Sequence, residues 1–298
     1  MLISLKKFDP SENRQHFENM VLKIHCCRYW QLSEWECNNM AFPFWRLYHN
    51  TIEGARISFG GNITYLTVDK LVIIPPNTSY SNALHTDSQN GIIREGITGK
   101  KITNDDLTEE IKMHKMVDHL FVHFNLGIPH DFVKPGVYSL PVLPDFQNTL
   151  QTIKRACILN TITRMPFVME LHSLITKSVA SLPANIWYNI NIDKRMFRII
   201  QYIEHNLNTR LNNKDMAHIA NMAINSFARL FRQTMGESVQ HYIIRRKIEK
   251  ARLLLHHSDN SIDEIAFECG FCDRYHFSKT FKHIVSMTPV SYKKMHAY

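Results

Sequence analysis

Ser261-Ile-Asp-Glu-Ile-Ala-Phe-Glu-Cys-Gly-Phe271, followed by Asp273-Arg-Tyr-His-Phe-Ser-Lys-Thr-Phe-Lys-His283, is the stretch on which the reading of this chain turns. Ser261 with Glu264 three residues on has the form of a capping box, which marks a helix start. Gly270 supplies the backbone freedom of a sharp turn between helices. The stretch after it reads as a second amphipathic helix with polar and basic side chains on one face. Short helix, tight turn and exposed second helix make the helix-turn-helix pattern.

The pattern occurs twice. Ala217 and Asn221 precede Ala266 and Gly270 by 49 residues, whereas Phe227, Arg229, Phe231, Arg232 and Tyr242 precede Phe277, Lys279, Phe281, Lys282 and Tyr292 by 50. The second copy therefore carries one extra residue in its turn, and the two units are expected at about 213–235 and 261–284. Between them, Ser238 to about His257 reads as one long amphipathic helix, with Val239, Ile243, Ala251 and Leu254/Leu255 toward the core. At 1.5 Å per residue it spans about 30 Å, close to the ~34 Å at which major grooves recur on one face of B-DNA.

Phenylalanines four apart (Phe227/Phe231 and Phe277/Phe281) are core anchors by spacing, so the polar residues between them face outward. Asn225, Ser226, Arg229 and Arg232 form the candidate DNA-reading set of the first unit. Arg274, Tyr275, His276, Ser278 and Lys279 form that of the second, with Lys282 holding phosphate. Arg pairs with guanine and Asn with adenine through two hydrogen bonds each, while Lys and Ser reach base or phosphate. Cys269-Gly-Phe-Cys272 lies across a glycine turn with no second pair, so it is read as packing rather than as a zinc or redox motif.

Charge supports a nucleic-acid partner for the back of the chain alone. The 298 residues carry a net charge of +8, and from Arg195 onward 16 Lys/Arg stand against 9 Asp/Glu, leaving the front nearly neutral. This asymmetry points to nucleic acid or an anionic surface as the partner of the back, although charge alone fits a merely soluble basic domain as well. At 44% hydrophobic and 21% charged the composition is that of a globular protein. Six scattered cysteines form no disulfide framework, and no long apolar run is present, so a cytoplasmic protein with no membrane partner is expected.

Residues 1–145 read as short strands. Phe42–Asn50 and His119–Asn125 alternate, Ile57–Leu66 forms a hairpin around Gly60-Gly61-Asn62, and Asp69–Pro76 is a buried strand stopped by two prolines. Such a set argues for a β-sandwich or a barrel, and a barrel is a natural pocket. Trp30, Trp45, Arg46, Tyr48, His49, His119 and His123 are the candidate ligand-lining residues. His119 and His123 lie too far apart along one strand to share a metal, and no metal or cofactor is expected. Asn104–Glu110 reads as a polar loop or short helix. Residues 146–194 hold two helical stretches broken at Pro166. Phe146, Leu150, Ile153 and Cys157 stripe the first, and Val168, Leu171, Ile175, Val179 and Leu182 the second. That stripe either forms a dimer seam or packs on the barrel. Leu182–Asn191 reads as a linker.

The last 104 residues closely resemble the AraC/XylS family of transcriptional regulators. Ala251–Leu255, Ser261–Phe271, His276–Lys282 and Met287-Thr-Pro289 with Tyr292 follow its signature. The front, through Phe44–Asn50 and Ile74–Thr78, is similar to the cupin-like effector domains of its sugar-responsive members. The resemblance implies an α+β multidomain chain, with a cupin-like β-barrel and helical dimerisation hairpin before an all-α double helix-turn-helix domain at 195–298. It further implies a transcriptional activator that binds double-stranded promoter DNA, responds to a small-molecule effector such as a sugar, forms a homodimer and contacts RNA polymerase. The sequence departs from the family at Asn221 (a turn glycine), Ala223 (a capping serine) and Ser286 (a glycine). Two other readings stay open: a metal-dependent cupin enzyme fused to a DNA-targeting domain, and a regulator whose barrel only dimerises.

Overall fold

The computed structural model describes residues 20–84, 96–103, 116–162, 164–187 and 193–296. The polar segment 104–110 and the end of the 182–191 linker lie outside the described residues. The front is a nearly closed antiparallel barrel built on one 18-residue strand, β1 (Lys23–Met40). The remaining strands are β2 (Trp45–His49), β3 (Ala55–Phe59), β4 (Asn62–Leu66), β5 (Lys70–Ile74), β6 (Tyr80–Leu84), β7 (Gly96–Lys101), β8 (Val117–Asn125) and β9 (Tyr138–Pro141). Their spatial order is β4-β3-β6-β1-β8-β2-β5-β9, with β7 also paired to β1. β1 therefore serves two sheets, pairing β8 through its first half and β6 near its end. Its register shifts between Cys37 and Met40, and Asn39 there has φ 49°.

The β3–β4 hairpin turns on Gly60 and Gly61, with φ 55° and 81°. Two successive left-handed residues make the turn whose twist suits a hairpin, and Asn62 is already in the strand. On β2, alternation sends Tyr48 into the barrel interior with Leu32, Trp35, Val72, Ile74 and Phe121. Trp45 and Leu47 point the other way, into a second core shared with Leu120, Val122 and Phe124.

Helices α1 (Pro144–Ile158) and α2 (Met165–Ala180) cover that outer face. Pro166 opens α2, where its missing N–H is no loss. The stripe of Phe146, Leu150, Ile153, Cys157, Leu171, Ile175, Val179 and Leu182 is buried against the sheet, with Val168 at its edge. Of the two readings of the stripe, packing on the barrel is the one observed.

The back is helical: α3 (Lys194–His205), α4 (Asn213–Ile219), α5 (Ile224–Met235), α6 (Val239–His257), α7 (Ile262–Glu268), α8 (Arg274–Val285) and α9 (Pro289–His296). α3 packs Met196, Ile199, Ile200 and Ile203 on the first helix-turn-helix unit. The second unit uses Ile248, Ala251, Leu255 and Tyr292, and takes Phe42 and Phe44 from the barrel into the same core. Ile128 and Phe132 of the front pack similarly on the first unit. The two parts are docked through apolar side chains.

Candidate nucleic-acid interface

Each half of the paired unit is built the same way. α4 to α7 is displaced by 49 residues and α5 to α8 by 50, so the extra residue of the second copy does sit in its turn. Asn221 and Gly270 hold equivalent turn positions with φ 52° and 70°. Asn tolerates that conformation, so the turn survives the loss of glycine. At Gly270 a Cβ would stand 2.6 Å from the Leu207 carbonyl oxygen, so glycine is required there by close approach as well.

The aromatic cores repeat down to ring geometry. Phe227 and Phe231 meet at 5.9 Å and 61°, Phe277 and Phe281 at 5.6 Å and 61°. Phe231 meets Tyr242 at 77° and Phe281 meets Tyr292 at 75°, both at 5.5 Å. These edge-on contacts fix how α5 and α8 roll about their axes, and hence which side chains face outward.

Asn225, Arg229 and Arg232 on α5 are exposed, and Ser226 is half-buried. On α8, Arg274, Tyr275, His276, Lys279 and Lys282 are exposed and Ser278 is half-buried. Tyr275 is 78% exposed, the setting of a side chain awaiting contact rather than of a core aromatic. Arg274 is paired with Asp263 at 3.0 Å. That pair is surface-exposed and worth little, so phosphate can displace it. The N-caps differ between the copies. Ser261 accepts from Glu264 N–H and the Glu264 carboxylate accepts from Ser261 N–H, the expected capping box. Asp273 caps α8 and Asn212 caps α4, whereas Ala223 leaves α5 without a side-chain cap.

α6 joins the halves. Its 19 residues span about 28 Å, and its own cations are largely committed. Arg245 is held by Glu237 and Glu249 at 2.6 and 2.8 Å, and Arg246 by Glu204 at 2.7 Å and by Glu249. Lys247 donates to the Gly270 carbonyl at 2.7 Å, which ties α6 to the turn. Burial raises the Glu249 carboxyl, but the Arg246 and Arg245 charges outweigh it and hold it below the ordinary range. Arg229 and Arg232 on α5 and Arg274, Lys279 and Lys282 on α8, by contrast, face outward. Sequence reading missed this network, although the i,i+4 spacing of Arg245 and Glu249 on one helix was available as its signal.

Residues 216–295 match the family described as a helix-turn-helix domain. The HTH-type transcriptional activator RhaS of Enterobacter sp. (strain 638) is 31% identical over 99 residues, 33% of this chain and 36% of that protein. RhaS of Escherichia coli O139:H28 is 31% identical over 130 residues, 44% of this chain and 45% of that protein. The C-terminal domain is of the AraC type. The chain spans less than half the length of these relatives. ToxT from Vibrio cholerae O395 superposes with a TM-score of 0.51 over 93% of this chain and 98% of its own, at 11% identity, a likeness of two-domain fold alone.

Next to the AraC-type domain, the seven ligand candidates of the barrel separate by strand parity. Arg46, Tyr48, His119 and His123 face the interior, and Trp30 packs at its edge. Trp45 and His49 do not line it, because residues one apart on β2 point to opposite sides of the sheet. Trp45 lies under the helices, its indole N–H donating to Asp131 at 2.9 Å, and His49 contacts the Val68 carbonyl. Arg46 is 1% exposed, sits 4.2 Å over the Phe42 ring and donates to the Tyr80 hydroxyl. Its Nε and Nη2 have no hydrogen-bond partner among the described residues. A buried guanidinium in that state is a costly arrangement, suited to an anionic or hydroxyl-rich guest. His119 shares a 2.7 Å hydrogen bond with Asn50, and burial pushes it down to about 3.

Proposed function

We propose that the protein is a sequence-specific DNA-binding transcriptional regulator, acting as an activator, whose barrel receives a small-molecule effector. The observation that carries the first part is the duplicated unit. Two helices of equal length, each with exposed polar and basic side chains, are separated along the chain by a ~28 Å connecting helix. That spacing is suited to successive major grooves on one face of a duplex. Likeness to RhaS, named as an activator, supports the activating role and with it RNA polymerase as a partner.

The effector reading rests on Arg46. Its unsatisfied guanidinium inside the barrel fits a sugar or sugar acid, which supplies carboxylate or hydroxyl acceptors in the fork geometry that Arg prefers. Phe42 and Phe44, beside Arg46, also belong to the core of the second helix-turn-helix unit. A guest at Arg46 thus presses on the joint between barrel and DNA reader. A homodimer would use a surface other than the buried hairpin stripe. Thermal denaturation of the intact protein against a panel of sugars and sugar acids tests this: a true effector raises the midpoint in proportion to the logarithm of its concentration. Arg46→Gln abolishes the rise. A panel that shifts nothing leaves the barrel as a dimerising or purely structural domain and refutes the effector reading.

A further inference from the structure

Three side chains from distant parts of the chain converge where the barrel meets α6. Cys26 and His123 are direct partners across the β1–β8 ladder, and His257 is the last residue of α6. One donor atom from each lies within 4.8 Å of the other two. His123 Nδ1 and His257 Nε2 are 3.3 Å apart. Two imidazole nitrogens on one tetrahedral zinc, each about 2.0–2.1 Å from it, are separated by about 3.3–3.4 Å. The spacing of the nitrogens is thus already that of a ligand pair.

We propose that Cys26, His123 and His257 form a binding site for a borderline-soft divalent transition metal, of which zinc is the type, at the mouth of the barrel. A set of one thiolate and two imidazoles selects such ions over magnesium or calcium, which take oxygen. Three protein ligands leave a fourth position for water or a small molecule. The surroundings are built rather than accidental. The Phe44 ring stands 4.7 Å from His123 and 5.2 Å from His257, and the His25 and His256 rings stack on His257 at 5.5 and 4.5 Å. His123 is 1% exposed, and its Nε2 has no hydrogen-bond partner among the described residues. Arg46 faces His123 electrostatically, so the Cys26 sulfur, which gives up its thiol proton to solvent as the metal binds, is the group that offsets the incoming cation. Two ligands belong to the barrel and one to the helix that joins the DNA-reading units. Occupancy therefore fastens α6 to the barrel.

Cobalt(II) titration of the intact, chelator-treated protein tests the site, because thiolate ligation gives a near-ultraviolet charge-transfer absorption that imidazole or carboxylate ligation does not. The expected result is saturation at one Co2+ per chain with that absorption, reversed by Zn2+. Cys26→Ser should abolish the absorption, and His257→Gln should weaken Co2+ binding at least tenfold. Cys272→Ser, at the exposed thiol beside Asp273 and His276, should leave both unchanged. No thiolate absorption in the unaltered protein would overturn the proposal, as would absorption that survives Cys26→Ser or is lost in Cys272→Ser. Circular dichroism confirms the fold of each variant. Should Cys26→Ser not fold, the unaltered protein and His257→Gln, altered only at a helix end, still decide.

Discussion

Glu249 shows how much one side chain organises here. It is 7% exposed and bridges Arg245 and Arg246, whose other partners are Glu237 and Glu204. Glu249→Ala removes the anion the two arginines share while leaving Glu237 and Glu204 in place, and should cost about 1.5–3 kcal/mol, read as a lower urea midpoint with an unchanged slope. Buried imidazoles set a pH dependence. Burial pushes His119 down to about 3 and His25 and His49 to about 4, and it lowers His123 and His257 as well, while the unfolded chain protonates each near 6.5. Below about pH 6.5 the unfolded state therefore binds more protons, and the folded state loses stability as pH falls toward 4. Each imidazole contributes about 1.4 kcal/mol per pH unit to that slope, absent above pH 7. His119→Gln should remove one such contribution, read against the unaltered protein in unfolding titrations from pH 7 to 5.5. The outward residues of α5 and α8 were legible because helical period is local information. The Cys26, His123 and His257 cluster was not, since its last two members stand 134 residues apart in sequence and nothing local links them.

At the scale of elements, the two halves of the DNA reader differ in one capping group. Ala223 gives α5 no side-chain acceptor for its free N–H groups, whereas Ser261, Asp273 and Asn212 serve the other three helices of the pair. Ala223→Ser should stabilise the domain by about 1 kcal/mol, and Ser261→Ala should destabilise it by a similar amount, both measured as shifts in thermal midpoint. The paired units were readable from sequence because each is a self-contained local motif whose phenylalanines keep their spacing. β1 was not. It is half-buried along most of its first ten residues because it lies between two sheets, so its side chains show no clean alternation of polar and apolar. The α1–α2 stripe was legible as a stripe, but periodicity cannot say what covers it; the sheet does.

For the whole molecule, the barrel and the DNA reader share side chains rather than merely a linker. Phe42 and Phe44 complete the second unit's core, and His257 meets His123 at the barrel mouth. A change at Arg46 or at the barrel mouth is thereby positioned to reach α6, and α6 to reach both recognition helices. The central claim is that these helices, α5 and α8, read DNA together. Its most direct measurement is fluorescence anisotropy of the intact protein on a duplex selected by it from a random pool, across a salt series. Arg229→Ala and Lys279→Ala should each weaken binding by about 1–3 kcal/mol if they touch bases, or lower the salt slope by about one if they touch phosphate. The double variant should lose both contributions. Binding by the double variant with unchanged affinity and unchanged salt slope would contradict the account.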